Sequence, residues 1–204
     1  TDFSIQIMLD SNQQKTIQVN GINAEATLPT IKSKLGAADI NLLQELPNQT
    51  WVLNANILLG IGVTLNLSPD VGVQELRLRS QASADGQARA ANIDYNSFVY
   101  LRAHGANINI DNMKIFSWDP QLNDYDRDPS NGRAYLLAKY ASVMNIRNTE
   151  VGYLGSEDGE SYGISWRDIN DVAEPDKLLT RVTGEVLNSL IHHNYYGIYT
   201  YQAR

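Results

Sequence analysis

Apolar and polar residues alternate over Phe3-Ser4-Ile5-Gln6-Ile7 and again over Thr16-Ile17-Gln18-Val19, with the polar run Asp10-Ser11-Asn12-Gln13-Gln14 between them. A period of two on both sides of a turn predicts a hairpin or a pair of edge strands. The period then changes. Thr27 falls where an N-cap belongs, Pro29 in the first helical turn, Leu28, Ile31 and Leu35 on one face, and Gly36 at the stop. A second short helix is predicted over 39–46, ended by Pro47. Residues 1–48 therefore read as an N-terminal cap of strands and two short helices, with an apolar face to lay over the rest of the chain.

From Trp51 onward helical periodicity is gone and short strands come in threes. Segments 51–53, 63–67 and 75–79 read as one coil, 98–103, 106–110 and 113–116 as a second, and 135–140, 143–146 and 150–154 as a third. A fourth takes 162–167, 181–184 and 186–191, and a fifth begins at Tyr196. The leading segments can be laid over one another: Phe98-Val99-Tyr100-Leu101-Arg102-Ala103, Tyr135-Leu136-Leu137-Ala138-Lys139-Tyr140, Tyr162-Gly163-Ile164-Ser165-Trp166-Arg167 and Tyr196-Gly197-Ile198-Tyr199-Thr200-Tyr201. Repetition of this kind, with Asn-rich turns, predicts an all-β chain: a right-handed parallel β-helix, a solenoid over 49–204 whose equivalent strands stack about 4.8 Å apart. An antiparallel sandwich also uses many short strands, but does not require them to align with each other. The polar segments 80–95, 119–132 and 168–177 are expected as insertions at single corners. An open β-helix end exposes unpaired backbone. The cap covers the first coil, whereas the sequence stops one strand into the fifth. The expectation is a solenoid incomplete at its C-terminus, or one whose last coil meets another copy in a homo-oligomer.

Composition narrows the partners. With 204 residues, 43% of them hydrophobic, the chain can fill a continuous core. A formal charge of -7 excludes nucleic acid as the main partner, although a local basic strip remains compatible with it. No apolar run approaches the roughly 18 residues of a membrane span, and Thr1-Asp2-Phe3 does not open a signal peptide. The reading is a soluble chain whose export signal is already removed. Zero cysteines exclude disulfides and thiolate metal sites. Heavy use of Asn, Tyr, Ser and Thr leans towards a secreted protein, extracellular or on the cell surface, that handles polysaccharide.

On a strand alternate side chains face outward. The alignment puts Arg102, Lys139, Arg167 and Tyr201 at one outward position of four successive coils, beside a column of Tyr100, Leu137, Ser165 and Tyr199. Three stacked cations repel one another unless anions compensate, and a polyanion lying along the sheet would do so. Tyrosines add flat apolar faces with a hydroxyl at the rim. Arg102, Lys139, Arg167, Tyr199 and Tyr201 are thus the candidate substrate-binding residues for an acidic polysaccharide. A solvated face is the competing reading, its cations paired with Asp168, Glu160 or loop aspartates. His104 lies two residues beyond Arg102, within reach of the same groove. His192 and His193 face opposite ways in a regular strand and approach each other only at a turn. Asp124, Asp126 and Asp128 alternate as at the start of a calcium loop. Pro129 stands where an EF-hand needs glycine and Tyr135 where it needs glutamate, which leaves an irregular Ca2+ site between Asp119 and Asp128, or a solvated acidic loop. No other cofactor or metal site is assigned.

At Trp118-Asp119-Pro120, Gly132-Arg133-Ala134-Tyr135, Glu160-Ser161-Tyr162-Gly163-Ile164-Ser165-Trp166-Arg167 and His192-His193-Asn194-Tyr195-Tyr196-Gly197-Ile198, the sequence resembles the right-handed β-helix family that includes mannuronan C5-epimerases and alginate lyases. The resemblance runs from about Trp51 to Arg204. It implies removal of the C5 proton of a uronate: a cation neutralises the carboxylate, a base takes the proton, and a second group returns one from the other face, or the O4-linked sugar is expelled. The family's Tyr-Gly, apolar residue, Asp-Pro-His run is absent. Tyr196-Gly197-Ile198 continues into Tyr199-Thr200-Tyr201, and Tyr162-Gly163-Ile164 into Ser165-Trp166-Arg167. No catalytic residue is carried over. The expectation is an extracellular β-helix that binds or modifies acidic polysaccharide. The alternative is a non-catalytic β-helix that binds glycan or assembles into a surface or fibre structure.

Overall fold

The computed structural model describes residues 2–9, 14–80, 98–157, 160–168 and 181–203. The first strands are β1 (Ser4–Leu9), β2 (Lys15–Asn20) and β3 (Ala24–Ala26), followed by α1 (Leu28–Ser33). Next come β4 (Leu43–Leu46), β5 (Thr50–Leu53), β6 (Asn56–Leu59), β7 (Val63–Leu67) and β8 (Glu75–Arg79). Then β9 (Tyr100–His104), β10 (Asn107–Asp111), β11 (Lys114–Asp119) and the short β12 (Asp124–Tyr125). The last are β13 (Tyr135–Lys139), β14 (Val143–Arg147), β15 (Glu150–Gly152), β16 (Gly163–Arg167), β17 (Thr183–Leu187), β18 (Leu190–His192) and β19 (Tyr196–Tyr201).

These strands build three sheets. The first runs β1-β2-β6-β9-β13-β16-β19, the second β17-β14-β10-β7-β3 and the third β18-β15-β11-β8-β5-β4. From β2 and β3 onward equivalent strands of successive rounds pair in parallel, while β1, β4 and β12 pair antiparallel with their neighbours. The expected parallel β-helix is present. Its interior is a set of columns, one being Ile17, Ile57, Leu101, Leu136 and Ile164, each stacked on the next and buried. Each such side chain contributes roughly 1.5–3 kcal/mol of transfer free energy.

Corners follow local chemistry. Asn112, Asn148 and Asn188 each turn the chain from the second sheet to the third with left-handed backbone, φ 54°, 50° and 47°. Asparagine tolerates that region better than other residues with a Cβ. The corners also bond to each other: Asn112 N–H donates to Arg147 O at 3.1 Å and Asn148 N–H to Leu187 O at 3.0 Å. On the outer face of the second sheet Asn66, Asn109 and Asn145 form a ladder of amide hydrogen bonds, 3.0 and 3.1 Å long.

Three local expectations change. The predicted helix over 39–46 is a 3-10 turn, Ile40–Leu42, leading into β4. Adjacent Leu42 and Leu43 are both buried, and Asn48 and Gln49 take left-handed backbone to close a hairpin onto β5. Residues 51–53 do not open a coil. Trp51 pairs with Leu76, so β5 belongs to the third sheet and closes the preceding round. The opening strand is β6, hidden in sequence because Ile57-Leu58-Leu59 does not alternate. Strands predicted at 181–184 and 186–191 lie instead on either side of the Asn188 corner. At the N-terminus the expected helix is capped by Thr27, whose backbone N–H donates to Thr30 Oγ1 at 2.8 Å while its Oγ1 accepts from Thr30 N–H. Leu28 and Ile31 are buried beneath it. The expected loops 80–95 and 168–177, beyond Ser80 and Asp168, and the turn 10–14, apart from Gln14, lie outside the described residues.

Candidate functional site

The outer face of the first sheet carries the candidate residues. Tyr100 pairs with Tyr135, which sets Arg102 opposite Leu137 and His104 opposite Lys139. Leu137 is followed by Ser165 and Tyr199, and Arg167 lies opposite Tyr201. The sequence alignment of Lys139, Arg167 and Tyr201 therefore stands, whereas Arg102 is two residues out of step. Phe98 is the reason: it bridges to Ser80 instead of opening the strand. A slip of two leaves every side chain on its original face. Arg102 stays outward.

The cations converge despite that slip. Arg102 Nη2 lies 3.3 Å from Glu160 Oε2, Lys139 Nζ donates to Glu160 Oε1, and Arg167 Nη1 is 3.9 Å from the same Oε1. Burial alone would raise the Glu160 carboxyl. The Lys139 hydrogen bond and the charges of Arg102, Lys139 and Arg167 outweigh it and hold the group below its ordinary value. Lys139 is almost fully buried, as an ion-paired lysine can be.

Around this cluster lie an imidazole and three phenols. His104 is pushed down to about 4, first by burial and then by the charges of Arg102 and Lys139. It is neutral at neutral pH. Its ring meets Tyr140 edge-on at 5.0 Å, and Nε2 has no hydrogen-bond partner among the described residues. The Arg102 guanidinium sits 4.1 Å over the Tyr100 ring and donates through Nη2 to the Tyr135 hydroxyl. Tyr135 is buried, which raises its phenol despite Arg102. The arrangement can hold a carboxylate among three cations, with an uncharged imidazole alongside whose Nε2 is buried.

Tyr199 and Tyr201 occupy the neighbouring strand. Tyr199 packs against Tyr162, with ring centres 4.8 Å apart, and Tyr162 against Tyr196 at 4.9 Å. Tyr201 stands beside Arg167 and is half exposed. Sequence reasoning reached Glu160 only as a counter-ion and passed over Tyr135. Glu160 lies outside any strand, so no periodicity marks it.

The aspartates between Asp119 and Asp128 bond within their own loop and, through Asp126, to Ser80. Asp119 accepts from Gln121 N–H at 2.8 Å and Leu122 N–H at 3.2 Å, Asp124 pairs with Arg127 at 2.7 Å, Asp126 accepts from Ser80 Oγ and from Asp128 N–H, and Asp128 accepts from Ser130 N–H at 2.9 Å. Among the described residues no group of three or more His, Cys, Asp or Glu is arranged to hold a metal ion.

No protein-family model matches the chain, and no curated protein matches it. Solved structures do. The crystal structure of the periplasmic alginate epimerase AlgG superposes with a TM-score of 0.76 at 17% identity, covering 100% of this chain and 49% of the epimerase. The fold is that of AlgG. A singly substituted AlgG variant gives 0.71 at 18% identity, covering 94% of this chain and 40% of the variant. The chain spans about half the length of AlgG. At this identity the likeness is one of fold, and the chemistry of the AlgG-like first sheet rests on this chain's own residues.

Proposed function

We propose that the chain is part of an exported β-helix protein that holds and modifies an acidic polysaccharide along the outer face of its first sheet. One observation carries the reading: Arg102, Lys139 and Arg167 enclose a single carboxylate beside a neutral His104. A uronate carboxylate has the same chemistry as Glu160 and would take its place among the cations. The neutralised carboxylate then stabilises negative charge at C5. The C5–H bond breaks, the proton goes to the His104 imidazole and the electron pair is delocalised into the carboxylate. Return of a proton to the other face makes an epimerase, and loss of the O4-linked sugar makes a lyase. Periplasmic AlgG supports a place outside the cytoplasm, and among the described residues no helix is long and apolar enough to cross a membrane.

Retention on immobilised polymannuronate tests binding. Lys139→Glu reverses one charge at the centre of the cluster, and the variant is expected to elute at clearly lower salt than the parent. Equal elution of the two overturns the reading. Incubation with polymannuronate, followed by NMR of the C5 configuration and absorbance of unsaturated products, tests chemistry; retention without either change leaves a glycan-binding protein.

A further inference from the structure

A second cluster lies at the corner where the third sheet turns back into the first. Tyr153 and His193 follow β15 and β18 at equivalent places, and both have left-handed backbone, φ 60° and 54°. Their rings consequently stack, with centres 4.9 Å apart and planes 14° from parallel. Tyr125, on the inserted β12, stacks on Tyr153 at 4.9 Å and 10°.

Gly152 makes room for the next piece. A Cβ there would lie 2.6 Å from His192 Cε1, so only glycine lets this imidazole lie against the strand. His192 Nε2 is 3.1 Å from Glu150 Oε1, and His192 Nδ1 is 2.7 Å from His193 Nδ1. A carboxylate only accepts, so the His192 proton belongs on Nε2. Its Nδ1 then accepts from His193 Nδ1–H, which leaves His193 Nε2 with a lone pair to offer. Glu150 is held in turn by Lys114 at 3.2 Å.

A cleft of about 360 Å³ opens beside these rings, bounded by Arg127, Pro129, Tyr153, His193 and Tyr195. Arg133 fixes its walls: Nε donates to Gly155 O at 2.9 Å, Nη1 to Asp126 O at 3.2 Å, and Nη2 to Leu154 O at 3.2 Å and His193 O at 3.1 Å. Those bonds use four of the five N–H donors of that guanidinium, all on backbone carbonyls. Arg127 differs, being exposed: it pairs with Asp124 at the surface, a contact that solvent weakens, donates to Tyr125 O at 3.5 Å and lies 5.6 Å from the Tyr153 ring centre. Pro129 and Tyr195 also border a neighbouring space with Glu157 on its edge, which leaves Arg127, shared with Asp124, as the exposed cation of the cleft.

We propose that this corner cleft is a second subsite for a uronate unit. Arg127 meets the sugar carboxylate, His193 Nε2 accepts from a ring hydroxyl, and the Tyr195 ring backs the apolar sugar face. The proposal rests on the polyuronate reading of the first sheet. Ring contacts from Tyr195 to Tyr196 (5.1 Å), on to Tyr162 (4.9 Å) and Tyr199 (4.8 Å) link the two places.

The test is an NMR titration of the whole chain with trimannuronate, following the His193 and His104 ring signals separately, for the parent and for Arg127→Ala and Tyr195→Ala. Saturable His193 shifts are expected, with the midpoint raised at least fivefold in each variant while the His104 midpoint is unchanged. A response at His104 with none at His193 overturns the corner site alone, as does a His193 response that Arg127→Ala leaves unaltered. A response at His193 with none at His104 sinks the first-sheet reading and keeps the corner. Silence at both overturns both. A neutral xylotriose that shifts His193 equally well removes the assigned role of Arg127.

Discussion

A carboxylate enclosed by three cations is easy to keep ionised and awkward to remove. Glu160 has that position, bonded to Lys139 and close to Arg102 and Arg167, with a third of its side chain still exposed. Glu160→Gln keeps the shape and removes the charge. Exposure moderates the loss, so stability is expected to fall by about 1 kcal/mol. Polymannuronate retention should move the other way, since the competing internal anion is gone. Chemical denaturation and the same column read the two effects, and weaker retention would show that Glu160 assists the ligand instead of competing with it. The three cations were legible in the sequence because a two-residue period assigns each its face. Glu160 was legible only as one counter-ion among several acidic residues, since its position comes from a loop that no period constrains.

Elements succeed here by matching sizes across sheets. On β16 the inward Trp166 reaches the second sheet, where its Nε1–H donates to Met144 O at 3.1 Å. Gly184 of β17 provides the space, in the column that holds Met144 one round earlier. A Cβ on residue 184 would lie 2.0 Å from Met144 O and 2.3 Å from Trp166 Nε1. Gly184→Ala is therefore expected to cost about 1–3 kcal/mol through overpacking, seen as a lowered thermal midpoint. An unchanged midpoint would mean that the indole does not occupy this space. The Asn corners were legible as Asn-rich turns, whereas β6 was not. Its three consecutive apolar residues are set to opposite faces only by the neighbouring strands.

At the scale of the whole molecule, acid acts on groups that folding holds in one charge state. His104 titrates near 4 in the fold against an ordinary value of 6.5. Between these values the unfolded chain binds more protons than the folded one, so stability rises with pH across the interval and falls as pH drops from 6.5 towards 4. Glu160, held low, adds a loss in the same direction as pH falls through the carboxylate range. Urea midpoints at pH 4.5 and 7 should differ less in His104→Gln than in the parent; an equal difference would exclude His104 as a source. The net charge of -7 does not conflict with a polyanion site, because the cations are concentrated on one face and the field there is local. Sequence by itself determined that the chain is a β-helix and, wherever a strand alternates, which faces its side chains take, because the pleat enforces a period of two and the corners need residues that accept left-handed backbone. Tertiary structure alone decided which residues meet. A register slip of two is invisible to that period, loop lengths set how far each strand advances, and only the closed coil brings Arg102, Lys139 and Arg167 to one carboxylate.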